Sequence, residues 1–176
     1  MFENLKLKLA RIIVSRKYLK KNLEPIVFNN IISGAQDFFI IMPESDTDFY
    51  HSLDLLKYLF IHRKSITLFL PEHKYSLIPE KEKYKFIAFG PLQKSKLFLP
   101  VPELSDKLKS KTFDVVIDLN RQENIFFSAA ANIVESKLRI SFTKENSEAY
   151  YNFQFADSRN NPEVAYRNLL NFLQLF

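Results

Sequence analysis

Apolar positions along this chain follow two periods. Near the start, Phe2, Leu5, Leu9, Ile12, Ile13, Leu19 and Leu23 recur at three- and four-residue steps. Lys6, Lys8, Arg11, Arg16, Lys17, Lys20 and Lys21 occupy much of the remaining helical surface. That spacing predicts a basic amphipathic helix over 1–24, with Pro25 as its stop. Residues 25–36, ending in "IISGAQ", read as a linker that turns at Gly34.

Beyond residue 36 short apolar runs alternate with helical patterns. "DFFIIM" (37–42), "SITLFL" (65–70), "YKFIAF" (84–89), "FDVVIDL" (113–119) and "KLRISF" (137–142) read as strands. "YYNFQF" (150–155) reads as a further strand at an edge, and "KLFLP" (96–100) as an extended piece. A helix is predicted from Asp48 to His62, with Phe49, Leu53, Leu56 and Phe60 inward. Another runs from Gln122 to Glu135, with Ile125, Phe126, Ala129, Ala130 and Ile133 inward. Short helices are expected within 72–83 and over 101–111. Asn161-Pro162 opens a last helix, striped by Tyr166, Leu169, Leu170, Leu173 and Phe176.

Strands alternating with helices predict βαβ units. The expected fold is α/β: a single Rossmann-like three-layer domain over 37–176 with a mostly parallel sheet, plus the basic N-terminal helix. In such sheets ligands collect beyond the carboxyl ends of the strands. The loops to inspect are therefore 43–48, 71–76, 90–96, 119–123 and 143–149.

Composition narrows the chemistry. The chain has 176 residues and no Cys, which excludes disulfides, thiol catalysis and cysteine-ligated zinc. His51, His62 and His73 lack close ligand spacing, so no metal site is expected. With its two glycines at 34 and 90, the chain can write neither G-x-G-x-x-G nor a P-loop, and no cofactor is expected. No apolar run reaches the ~20 residues of a membrane span, and no signal peptide is visible, so a cytoplasmic location is expected.

The formal charge of +5 is unevenly spread. Residues 1–22 carry +6 and the other 154 carry −1, so a general nucleic-acid-binding surface is not expected. The basic helix has two readings. Its stripe docks on the body, a protein partner or a second copy, or it lies at the inner face of an anionic membrane. In either case Lys6, Arg11, Lys17, Lys20 and Lys21 are the contact residues.

The junction "PESDTD" (43–48) concentrates carboxylates and hydroxyls. Asp46, Thr47 or Asp48 could act as an N-cap, worth about 1 kcal/mol. The competing reading makes Asp48 a general base at a strand's carboxyl end, with Ser45 and Thr47 as ligand contacts. Asp118, Asn120 and Arg121 stand in the matching position after "FDVVID". Asp118 either satisfies strand-end backbone or meets a ligand, and Arg121 is either solvated or a partner for an anion.

Two stretches carry a resemblance. "FFIIMPESDTDFYHSLDLLKYL" sets an apolar strand, a loop ending at Asp48, and a helix with Leu59 eleven positions later. "FDVVIDLNRQENIFFSAAANIVESKLRISF" supplies a strand, an Asp-Leu turn, a helix and a strand, and "NPEVAYRNLLNFL" a closing helix. Together they resemble the N-terminal, acceptor-binding half of glycosyltransferase family nine, the heptosyltransferases, over about residues 37–176. The resemblance implies half of a GT-B fold, with Asp48 at the position of that family's proposed general base. Thr47 stands where the family has Gly, and Asn120-Arg121 where it has Gln-Gly. A short uncharacterised bacterial α/β family with a basic N-terminal helix and a similar turn is the other home this pattern suggests.

Because the resemblance ends with the acceptor half, the expected protein is a non-catalytic binding or scaffold domain without a donor-binding half. The alternative is one half of a split glycosyltransferase that uses Asp48 as base.

Overall fold

The structure is a computed structural model that describes residues 2–19, 31–156 and 161–175. Helix α1 (Phe2–Lys17) precedes β1 (Asp37–Ile41), α2 (Asp46–Ile61), β2 (Ser65–Pro71) and β3 (Lys85–Phe89). Then follow α3 (Pro102–Lys109), β4 (Thr112–Asp118), α4 (Ile125–Ile133), β5 (Glu135–Phe142), β6 (Phe153–Phe155) and α5 (Pro162–Leu173). The strands form one sheet in the order β3-β2-β1-β4-β5-β6. Every pairing is parallel. The Rossmann-like α/β expectation holds, with a sheet that is wholly parallel among the described residues.

The alternation of side chains along the strands builds two cores. Phe38, Ile40 and Met42 join Leu68, Ile117 and Ile140 beneath α2 and α5. Phe39, Ile41, Phe69 and Val116 face the opposite way, toward α1, α3 and α4. Burial on both faces explains the continuous apolar runs. The second core is largely aromatic. The Phe69 and Phe89 ring centroids lie 4.7 Å apart, and those of Phe89 and Phe126 4.8 Å. Burying each such ring contributes roughly 1.5–3 kcal/mol.

Helix α4, "IFFSAAANI", is apolar all round and would expose an apolar surface if it merely covered the sheet. Helix α1 covers that outer surface. Leu7, Ala10 and Val14 pack into the α4-side core, and Ala10 and Val14 are fully buried. The expected stripe is divided: Ile13 and Leu19 pack against this core, and Phe2, Leu5, Leu9 and Ile12 point outward. The two small residues that dock the helix are weak marks in a hydrophobicity pattern.

Several local expectations shift for physical reasons. Helix α2 begins at Asp46, and its buried side is Phe49, Ser52, Leu55, Leu56 and Leu59. Phe60 stays at the rim, where the Lys83 ammonium sits 4.4 Å from its ring centroid. Helix α4 starts at Ile125, because Asn124 caps it by accepting from the Phe126 N–H at 3.0 Å. Residues 72–77 and 81–83 form two 3₁₀ turns instead of one helix. The stretch 96–100 is a tight loop, closed by a Lys94–Pro100 bridge, with Phe98 left-handed at φ 59°. Strand β6 keeps only Phe153–Phe155, because Tyr150 and Tyr151 turn back into the α4-side core.

The end of the expected first helix (20–24) and the first part of the expected linker (25–30) lie outside the described residues. Of the linker's remainder, Ile32 and Ala35 are buried in the α2–α5 core. The carbonyls of Ser33 and Ala35 accept from Lys64 Nζ, both at 2.7 Å. Residues 31–36 are thus packed onto the domain. No helix among the described residues is long and apolar enough to cross a membrane.

Candidate functional site

The strand order reverses between β1 and β4, so their carboxyl ends diverge into a crevice. The crevice holds about 320 Å³ and is lined by residues 44, 45, 48 and 120–124. It brings together Ser45, Asp48, Asn120 and Arg121 from the sequence candidates.

Asn120 fixes the two strand ends to each other. Its Oδ1 accepts from the Glu44 N–H at 2.9 Å, and its Nδ2 donates to the Met42 carbonyl at 3.3 Å. Ser45 caps α2: its Oγ accepts from the Asp48 N–H at 3.4 Å. That leaves the Asp48 carboxylate free to reach across, and its Oδ1 accepts from Arg121 Nε at 3.0 Å. No described residue donates to Asp48 Oδ2, and none accepts from the two terminal nitrogens of Arg121. Both side chains are partly covered, at 10% and 22% exposure. Thr47 is exposed and takes no part in the lining.

Lys74, unremarkable within a polar stretch, holds the floor of the β1–α2 loop. It is 1% exposed and donates to the Glu44 carbonyl at 2.6 Å. It also meets Asp46 at 2.9 Å. The hydrogen bond and charge of Lys74 hold the Asp46 carboxyl below its usual value. Behind the crevice Tyr166 donates to the Leu119 carbonyl at 2.5 Å. Burial, then the nearby Asp48 charge, pushes the Tyr166 phenol far up, so it remains a neutral donor.

Asp118 points to the opposite face, away from the crevice. Its Oδ2 meets Lys144 Nζ and the Tyr151 hydroxyl, each at 2.5 Å. Its Oδ1 accepts from the Asn120 N–H at 3.0 Å and from Asn120 Nδ2 at 2.8 Å. Both oxygens are engaged, and Asp118 presents none to a ligand. Lys144 is almost fully buried and donates also to the Asn120 carbonyl at 2.9 Å. Burial, with Asp118 close by, pushes the Tyr151 phenol well up.

At the crevice edge Glu123 accepts from Arg11 at 2.8 Å, and Glu44 accepts from Asn124 Nδ2 at 3.0 Å. Arg11 therefore faces the domain, not the outer surface of α1. Lys6 and Lys17 are exposed, and Lys20 and Lys21 lie outside the described residues. No three His, Asp or Glu side chains among the described residues converge as a metal site requires.

The lining is rich in acceptors. Glu44, Asp48 and Glu123 are carboxylates, and Arg121, the cation, is already paired with one of them. Such a surface repels free phosphate and accepts hydrogen bonds from hydroxyl groups. Sequence reasoning named Asp48 and Arg121 separately without pairing them, and missed Glu44, Glu123, Asn124 and the buried Lys74. The clustering of "PESD" and "NRQEN" after two apolar runs was the available signal.

Fold and crevice define a Rossmann-like α/β domain with a polar, glycine-free switch point. The model of a family of unknown function, DUF6913, matches residues 11–176, and the chain belongs to that family. No curated protein matches it, so the glycosyltransferase resemblance rests on the quoted residues alone. Among solved structures, a mutant enoyl thioester reductase from Candida tropicalis is similar over 95% of this chain, at 12% identity and TM-score 0.41. The mitochondrial 2-enoyl thioester reductase Etr1p/Etr2p heterodimer from Candida tropicalis is similar over 95% at 13% identity and TM-score 0.41. This chain covers 47% of each reductase chain. At that similarity the reductases say nothing about its chemistry.

Proposed function

We propose that the chain is a non-catalytic binding or scaffold domain that takes a neutral, hydroxyl-rich ligand, such as a saccharide, in the β1–β4 crevice. The observation that carries this reading is the Asp48–Arg121 pair. It spans the crevice with one carboxylate oxygen and two guanidinium nitrogens left unpartnered among the described residues. Carboxylate and guanidinium together supply acceptors and donors at fixed spacing, as vicinal hydroxyls require. The Asn120 and Lys74 clamps hold both loops in place before a ligand arrives, which lowers the ordering cost of binding.

Thermal unfolding against a panel of neutral saccharides, nucleotide-sugars and inorganic phosphate tests this reading. A ligand at about 100 times its Kd adds ~2.7 kcal/mol, a shift of several degrees. Saccharide-bearing compounds are expected to raise the midpoint, phosphate is not, and Asp48→Asn should lose most of the response. A response to phosphate alone, or one unchanged in Asp48→Asn, overturns the reading.

A second reading is favoured by the unpartnered Asp48 Oδ2. It makes the chain one half of a split glycosyltransferase in which that oxygen takes the proton from an acceptor hydroxyl. Sugar transfer that depends on a separate donor-binding protein, and that Asp48→Asn abolishes, would establish this alternative.

A further inference from the structure

Helix α1 carries two apolar faces, and the domain uses one. Leu7, Ala10 and Val14 dock against α4. On the opposite side Phe2, Leu5, Leu9 and Ile12 form a continuous stripe at spacings of three and four, and are 77%, 58%, 45% and 48% exposed. Lys6, Lys8, Arg16 and Lys17 surround this stripe and are all exposed, and Glu3 is the acidic residue of the helix. Among the described residues no ion pair engages Lys6, Lys8, Arg16 or Lys17.

We infer that the outward face of α1 docks on an anionic lipid surface, with the helix lying in the plane of the headgroups. The charge pattern selects this occupant. Apolar side chains on one line with cations beside them match an interface that is apolar below and negative at the surface. A second copy of this chain fits poorly. Antiparallel pairing centred on the stripe sets Leu5 against the partner's Leu9, but it also sets Lys6 beside the partner's Lys6 and Lys8 beside the partner's Lys8. Like charges so placed repel. Because the inner face is already anchored on α4, the helix is presented pre-formed. Membrane binding then does not have to supply the cost of folding a short helix, which is marginal when isolated.

The test is co-sedimentation of the full chain with vesicles of phosphatidylcholine alone or of equal parts phosphatidylcholine and phosphatidylglycerol. Binding to the anionic vesicles is expected at low salt, with at least tenfold weaker binding to the neutral ones. It should largely disappear at about 1 M salt, where the Debye length is about 3 Å. Lys6→Gln with Lys17→Gln should weaken it by about fivefold per charge. Leu5→Ser with Leu9→Ser should weaken it by tenfold or more. Both double variants alter exposed side chains, so their thermal midpoints should match the parent. No sedimentation with anionic vesicles, or equal binding to both vesicle types, overturns the inference. So does a concentration-dependent dimer that Leu5→Ser with Leu9→Ser dissociates, because a second copy then covers the face.

Discussion

Arg121 Nε donates to Asp48 Oδ1 at 3.0 Å, tying the loop after β4 to the first turn of α2 across the reversal point of the sheet. Asp48 is 10% and Arg121 22% exposed, so the pair lies between an exposed one, worth about 1 kcal/mol or less, and a buried one, worth about 3–5 kcal/mol when broken. Arg121→Met leaves the covered Asp48 carboxylate without its donor and is expected to lower the urea-unfolding free energy by about 1–3 kcal/mol, while abolishing the ligand-induced thermal shift. A double-mutant cycle with Asp48→Asn separates the roles. Coupling below about 1 kcal/mol fits a pair kept for binding. Coupling above about 3 kcal/mol marks it as a structural clamp.

Asp118 and Lys144 should behave differently, because their side chains are buried, at 0% and 3% exposure. Asp118 accepts from Lys144, Tyr151 and twice from Asn120, and all four bonds lie at a buried strand end. Removing one member of a buried pair leaves the other uncompensated, at about 3–5 kcal/mol. Asp118→Ala and Lys144→Ala are each expected to lose that much in chemical denaturation. Asp118→Asn with Lys144→Met should lose clearly less than the sum of the single changes, since no lone charge remains.

Arg139 caps α4 from the neighbouring strand. Its Nε, Nη1 and Nη2 donate to the carbonyls of Ala131, Ser136 and Val134 at 2.8, 2.8 and 3.1 Å. Burial lowers its pKa from the usual arginine value. A fixed fork of donors suits three carbonyls better than the point charge of lysine. Arg139→Lys should lower the thermal midpoint noticeably and Arg139→Met more, each lost charged hydrogen bond being worth about 1.5–3 kcal/mol. Arg139→Lys equal to the parent would show that charge near the helix end, not geometry, is what matters.

The sheet was legible in the sequence because burial on both faces leaves plain runs such as "FFII" and "VVID". Element faces were less so. Helix α1 looked amphipathic through Phe2, Leu5 and Leu9, yet the small Ala10 and Val14 make the contact. Buried cations were invisible for a related reason. Lys74, Lys144 and Arg139 sit in mixed or polar stretches that read as solvated. Lys74 and Lys144 are buried against acceptors far along the chain, the Glu44 carbonyl and Asp118, and Arg139 against nearby carbonyls that the α4–β5 turn gathers. The crevice loops stood out as clusters of Asp, Asn and Ser, but local patterning cannot distinguish a capping Ser45 from a reaching Asp48.

Asp114 gives a pH signature. Its Oδ2 accepts from the Gln36 and Asp37 N–H groups at 2.7 and 3.0 Å, where β1 begins. The Asp37 and Gln36 backbone bonds hold its carboxyl below the ordinary 3.8. A depressed folded-state value stabilises above the unfolded pKa, and that contribution is lost as pH falls through the folded one. Asp114→Asn should thus be less stable than the parent at neutral pH, and the two urea midpoints should converge as pH falls through the lowered carboxyl value. Because the side chain is exposed, solvent keeps the gap small. A gap that persists unchanged in acid would mean that the carboxylate charge is irrelevant to the start of β1.

Gly90 closes β3 without using the conformational freedom of glycine, since its φ is −104°. An added Cβ would stand 3.0 Å from Glu72 Oε2 and 3.4 Å from Glu72 Cδ, the far end of an exposed side chain that can rotate away. The Gly90 N–H bond to Gln93 Oε1, 2.8 Å long, would be untouched. With the native backbone open to any L-residue, replacing glycine mainly reduces the freedom of the unfolded chain, which stabilises by about 0.4–1 kcal/mol. Gly90→Ala is therefore expected to raise the thermal midpoint slightly. A fall that Glu72→Ala then reverses would show instead that the Glu72 carboxylate is held against the β3 turn.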